Sequence, residues 1–226
     1  MIGIISAGVA PAVALLAFFY LKDKYETEPV SMVIRLYIFG ALLVFPIMVI
    51  QFGFKEEIMV SSFTEGFFLS ALLEEFLKWF LVFYCAYQHA EFNEPYDGIV
   101  YAVALSLGFA SMENILYLYV HGLTEAFGRA LMPVSSHALF GVISGYYFGK
   151  AKFSSGKKRK MFLTLSFLIP FVLHAIYNWI LLVFEKDFLI AMLPFMLFLW
   201  WLGLKKVKLA NAHKTAWMTR QKNVGS

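Results

Sequence analysis

The sequence predicts an all-α, polytopic transmembrane helical bundle, and two observations predict it. Of 226 residues, 61% are hydrophobic and 15% are charged, where soluble domains carry roughly 45–50% and 25%. The apolar residues also fall in runs of about twenty separated by short charged clusters, the length a helix needs to cross roughly 30 Å of hydrocarbon. About seven spans follow, at about 2–21, 32–54, 66–87, 98–120, 130–150, 161–184 and 188–204, within one integral membrane domain covering 1–226.

The first run, Ile2 to Leu21, has no basic residues before it and is longer than a signal-peptide core, with Lys22 and Lys24 behind it, so a retained span is expected. Spans three to six carry the polar residues considered below; span seven is the shortest. Gly141, Gly145 and Gly149 form a small-residue ladder on span five, which lets a neighbouring helix approach closely. Pro133 and Pro170 each stand four residues before a histidine, where a kink is expected. The lone Cys85 lies within span three and can form no intrachain disulfide; packing accounts for it.

The net charge of +4 does not point to nucleic acid, because the basic residues concentrate in two membrane-flanking segments, 150–160 and 205–222. The segment with Lys150, Lys152, Lys157, Lys158, Arg159 and Lys160 belongs in the cytoplasm by the positive-inside rule. Alternation then puts the N-terminus outside and the C-terminal tail inside, with outer loops 55–65, 121–129 and 185–187 poor in basic residues. A multi-pass membrane protein, with the lipid bilayer as its partner, is expected; its oligomeric state is left open.

Inside the spans lie ionisable groups: Glu74, Glu75 and Lys78 on span three, Glu113 and Asn114 on span four, His137 on span five, His174 and Asn178 on span six. A charge near the bilayer centre costs roughly 2.5–3.5 kcal/mol on insertion scales, so such residues face the bundle interior. At about 100° per residue, Glu74, Glu75 and Lys78 share one polar stripe, with Phe76, Trp79 and Phe83 away from it. His174 and Asn178, four apart, share a face. Counted from the outer span ends, Glu74 and Glu75 lie about eight or nine residues deep, Glu113 and His137 about seven, His174 about ten; the depths agree within about 5 Å. Each alone has a structural reading: a neutralised Glu74–Lys78 pair, a packing histidine, an interhelical Glu113–Asn114 clamp. Their convergence at one level in the outer half of the bilayer argues for a site. His89, His121 and His213 lie outside that level and receive no role.

Hydrolysis of a peptide bond needs a base for water, donors for the oxyanion and an acid for the leaving amine. Two adjacent carboxylates in a low dielectric are not both cheaply ionised. Local spacing pairs Lys78 with Glu74, which leaves Glu75 free to act as base, with His137, His174 and Asn178 positioning water or the oxyanion. Glutamate and histidine are also zinc ligands, but there is no His-Glu-x-x-His segment; no cofactor is expected and a metal stays open. Ser135 and Ser136 lack a nucleophile-elbow context.

At these residues the sequence resembles a known family. Glu74-Glu75-x-x-Lys78, Asp97-Gly98-Ile-Val-Tyr101, Gly108-Phe109-x-x-x-Glu113-Asn114, His137-Ala-Leu-x-Gly141 and His174-x-x-x-Asn178 are similar to the motifs of the PrsW family of intramembrane proteases. The similarity extends over nearly the whole chain, from its start to Trp200-Trp201. The resemblance implies a glutamate-type protease with Glu74, Glu75, Glu113, His137 and His174 catalytic and Lys78, Asn114 and Asn178 supporting. Its implied substrate is a single-pass membrane anti-sigma factor of the RsiW type, cut first on its extracytoplasmic side (the site-1 cut) so that a second protease can release a stress sigma factor. The wider superfamily includes the CAAX prenyl proteases, whose pattern favours the first glutamate as base. Here Glu113 stands where those enzymes have a histidine, and Lys78 one residue before their arginine, so both Glu74 and Glu75 are expected to be essential without a ranking.

Two other classes compete. Intramembrane carboxylates and histidines also serve proton-coupled transporters, but no inverted repeat or pair of broken helices is found. A non-catalytic membrane sensor or scaffold would use the same interior cleft for a partner.

Overall fold

The computed structural model describes residues 1–24, 26–58, 69–184 and 187–224, with side chains placed except at 55–58 and 213–224. The chain runs as α1 (Ile2–Leu21), α2 (Val30–Ile58), α3 (Ala71–Val82) continuing through a π-turn (Phe83–Tyr87), α4 (Asp97–His121), a 3₁₀ turn (Leu123–Glu125), α5 (Ala126–Arg129), a second π-turn (Ala130–Val134), α6 (Ser135–Lys152), α7 (Gly156–Val183) and α8 (Phe188–Val224). No strand occurs among the described residues.

α4 is the axis of the bundle, with 78% of its membrane-spanning window buried inside the protein. Its small residues make this possible. Gly98 backs onto the α6 backbone at Gly145, Gly145 onto Gly98 and Ile99, and Gly141 onto Ala102 and Val103. On the opposite side Gly108 meets the α2 backbone at Tyr37, and Gly40 meets α4 at Leu105. Helices that touch backbone to backbone exchange dispersion contacts that larger side chains would prevent, the main attraction available once lipid removes the hydrophobic drive between helices. α1 also packs on α4, α7 on α3 and α6, and α8 on α6 and α7. Outward, α2 presents Ile34, Ile38, Leu42, Phe45 and Val49, and α8 presents Ile190, Leu193, Leu197 and Trp201, apolar rows that lipid tails cover without cost. The chain is a multi-pass membrane protein.

The α4–α6 crossing carries a strong expectation. A valine at Gly145 would collide with the backbone of Gly98 and Ile99, which cannot yield as a flexible side chain does, so Gly145→Val should exceed the ~1–3 kcal/mol of ordinary overpacking. The expected outcome is loss of the monodisperse peak in size-exclusion chromatography of the detergent-solubilised protein.

Among the described residues, six helices are long and apolar enough to cross a membrane: Ile2–Leu21, Val30–Phe54, Asp97–His121, Leu123–Lys152, Gly156–Val183 and Phe188–Ala212. The expected third span, 66–87, begins outside the described residues, and its described part is α3 with its π-turn. Most of the expected outer loop 55–65, much of 185–187 and the His213 side chain also lie outside them. Two expectations are corrected. The segment 121–129 is not an open loop but largely helical, leading through the π-turn around Pro133 into α6; proline lacks the N–H for an i→i−4 bond, and a wider turn lets the chain stay helical past it. α8 does not stop near 204, because Lys205 to Val224 contains neither Gly nor Pro to end it.

Candidate active site

α3 buries Glu74, Glu75 and Lys78 on one face. That face is held toward the interior by Trp79, whose Nε1–H donates to Ser166 Oγ of α7 at 2.8 Å, and by Phe76 packing edge-on against Phe167. Lys78 Nζ lies 3.0 Å from Glu75 Oε1 and 3.4 Å from Glu74 Oε2, and donates to His137 Nδ1 at 3.3 Å. The expected pairing of Lys78 with Glu74 alone is therefore corrected. Positions i+3 and i+4 both lie on the stripe, and one ammonium reaches both carboxylates.

His137 sits at the start of α6, just past the Pro133 π-turn, and its carbonyl accepts from Ser106 Oγ of α4 at 2.7 Å. With Nδ1 accepting from Lys78, its Nε2–H is the donor to Glu113 Oε2 at 3.1 Å. His174 of α7 stacks on Phe140 at 5.2 Å. Its Nδ1–H donates to Glu75 Oε1 at 2.9 Å, and its Nε2 lies 4.0 Å from Glu74 Oε2. All five residues singled out as catalytic thus join one network through Lys78. Asn178 lies one turn beyond His174 on α7 and is half-buried. Asn114 is fully buried; its Nδ2–H donates to Gly8 O of α1 at 3.2 Å, so it ties helices together.

Sequence reasoning missed two partners. Arg129 donates from Nε to Asn114 Oδ1 at 3.1 Å, brings Nη2 to 4.0 Å from Glu113 and stacks over Tyr117 at 4.2 Å. Gln51 of α2 donates to Ser70 Oγ at 3.3 Å, and Ser70 donates to Glu74 Oε1 at 2.8 Å. The signals were there: a single arginine in the segment 121–129, otherwise free of arginine and lysine, and a glutamine within an apolar run. Neither residue, however, falls in a motif with the glutamates.

A cavity of about 250 Å³ opens between α2, α4 and Arg129, walled by Met48, Gln51, Glu74, Glu113, Tyr117 and Arg129 among others. Glu75, His137 and His174 are absent from its lining. The two glutamates of α3 are therefore unequal: Glu74 meets the cavity, while Glu75 is bound to Lys78 and His174 behind it. Three carboxylates here face two permanent cations, Lys78 and Arg129, so the cluster retains a negative charge unless it takes up a proton or an ion. Glu74, Glu75, His137 and His174 are all buried, and each offers a ligand atom within 4.8 Å of the others. Two imidazoles and two carboxylates are a donor set that zinc accepts, so the residues fit a metal. Lys78 draws on three of the same side chains.

A polytopic helical bundle with buried carboxylates and imidazoles beside an open cavity has the groups an integral membrane hydrolase needs. The profile described as "PrsW family intramembrane metalloprotease" matches residues 28–202. The chain is 58% identical over 215 residues to "Protease PrsW" of Geobacillus kaustophilus, covering 94% of each chain. It is 54% identical over 213 residues to "Protease PrsW" of Bacillus subtilis, covering 94% of this chain and 97% of that one. To "Protease PrsW" of Clostridioides difficile it is 31% identical over 201 residues, covering 83% and 82%. No solved structure matches. The chain belongs to the PrsW family of intramembrane proteases, and is a peptidase of the bacterial cell membrane.

Proposed function

We propose that this chain makes the first, extracytoplasmic cut in a single-pass membrane anti-sigma factor, with Glu74 as the general base. The reading rests above all on Glu74 and Glu113 forming the polar wall of the cavity. The basic 150–160 segment joins α6 and α7 at the end of the bundle where α4 begins, whereas Glu113 lies eight residues before the end of α4. With the basic end in the cytoplasm, the site falls in the outer half of the membrane, near an outward-facing cut.

Glu74 takes a proton from a water in the cavity, and the hydroxide adds to the substrate carbonyl carbon. The proton then passes to the amide nitrogen, the C–N bond breaks, and a carboxylic acid and an amine leave. Glu75 holds the His174 ring through Nδ1, and His174 Nε2 faces the Glu74 carboxylate at 4.0 Å from behind the cavity wall. Arg129, on the cavity wall, is the positive group nearest the developing oxyanion, and Lys78 backs Glu74 at 3.4 Å. Glu113 holds His137, and with it Lys78, in place. Glu74, Glu75, His137 and His174 would hold a zinc-type ion, whose chemistry there is Lewis-acid polarisation of water and carbonyl.

The test is reconstitution in proteoliposomes with a purified single-pass anti-sigma factor, with and without chelator, followed by mass spectrometry of the fragments. One cut near the outer membrane boundary is expected, absent with Glu74→Gln. A cut on the cytoplasmic side, or an intact anti-sigma factor beside a cleaved unrelated membrane peptide, would overturn the proposed substrate and leave the peptidase.

A further inference from the structure

At the opposite end of the bundle a second acidic group has no part in the peptidase chemistry. Asp97 opens α4, sixteen residues before Glu113, or roughly 24 Å along the helix axis. Asp23, Glu28 and Asp97 each bring a carboxylate oxygen within 4.8 Å of the others. Asp97 is wholly buried and Glu28 is 4% exposed.

The cradle is built. Asp97 Oδ2 accepts from the backbone N–H of Asn93 at 2.8 Å and of Glu94 at 2.6 Å, which orients the carboxylate, while its buried Oδ1 meets no N–H or hydroxyl donor among the described residues. Tyr101 OH donates to the Glu28 carboxylate, Tyr20 OH to the Glu28 carbonyl at 2.8 Å and Tyr96 OH to Phe19 O at 2.8 Å. Tyr96 and Tyr101 therefore tie the end of α1 and the α1–α2 connection to the head of α4, and Tyr20 ties α1 to that connection. Nearby Lys152 gives its ammonium to the carbonyl of Tyr87 at 2.6 Å. Buried carboxylates brought face to face either share a proton or hold a cation.

We infer that Asp23, Glu28 and Asp97 form a divalent cation site that staples the α1–α2 connection to the head of α4. All its donors are oxygens, which select hard ions such as Mg²⁺, Ca²⁺ or Mn²⁺ over zinc, in contrast to the mixed nitrogen and oxygen set near Glu74. The site stands apart from the peptidase reading and does not depend on it.

The test uses Mn²⁺ as the probe, followed by electron paramagnetic resonance on the full chain in detergent. Glu75→Gln/His174→Ala is the background, so that the other donor set is disabled. One Mn²⁺ per chain is expected, displaced by Ca²⁺ or Mg²⁺ and lost with Asp97→Asn. Asp23→Asn changes a half-buried side chain and keeps the tyrosine clamps, so it should fold and bind Mn²⁺ roughly tenfold more weakly. Mn²⁺ binding unchanged in both variants would overturn the site. So would an absence of binding together with a protonated-carboxyl infrared band that persists in Mn²⁺, since the carboxylates would then share only a proton.

Discussion

Replacing Glu74 by glutamine is expected to lower the cleavage rate by about 10²–10⁴-fold, the usual worth of a positioned general base, while the protein stays folded. The glutamine amide oxygen can still accept from Ser70 or Lys78, which now hold the carboxylate at 2.8 Å and 3.4 Å, so the network survives the change. Glu75→Gln is expected to cost less, because Glu75 meets no part of the cavity and acts by holding His174 Nδ1 at 2.9 Å. Initial rates in proteoliposomes, with thermal melts of each variant, separate the two roles. A Glu74→Gln enzyme within tenfold of the parent rate, alongside an inactive but folded Glu75→Gln, would reverse the assignment.

Lys78→Met is expected to produce the largest loss of stability of any single substitution in the site. The ammonium is 3.0 Å from one buried carboxylate and 3.4 Å from the other, donates to His137 and lies 4.1 Å above the Phe109 ring. Methionine replaces much of its volume but leaves Glu74 and Glu75 facing each other uncompensated. Breaking a buried pair in this way costs about 3–5 kcal/mol, a fall in melting midpoint of about 6–20 °C for a chain of this size. Adding Glu75→Gln to Lys78→Met should recover part of that loss, since one of the stranded charges is removed with its partner. Were the loss due to packing around Phe109 instead, the double variant would melt no higher than Lys78→Met alone, and melting curves in one detergent decide between the two.

Both results turn on contacts that are legible in the sequence only in part. The polar stripe of α3 follows from helical periodicity, and the common depth of Glu113, His137 and His174 follows from counting residues at a fixed rise, so the five groups of the network were found before any contact was known. What spacing does not resolve is the share of Lys78 between its neighbours. A lysine side chain reaches i−3 or i−4 by a change of rotamer, and only the surroundings, with His137 in front and Phe109 beneath, decide that it touches both glutamates. Gln51 comes from the helix before the motif-bearing ones and Arg129 from the short α5 between two of them, and nothing local distinguishes them from other polar residues at a helix end or in a span. Asp97 stood in a family motif, yet its meeting with Glu28 and Asp23 depends on two connections closing at one end of the bundle.

The sequence by itself determined a membrane-embedded all-α bundle and a single polar level within it, because the length of an apolar run and the cost of burying charge are properties of each segment taken alone. Tertiary structure decided which carboxylate meets the cavity, which is locked behind a histidine, and that α4 is the axis around which the others pack. Those outcomes depend on glycines of different helices meeting backbone to backbone, Gly98 with Gly145 and Gly108 with Tyr37. Such a crossing angles two whole helices at once, and a residue's own sequence neighbours carry no record of it.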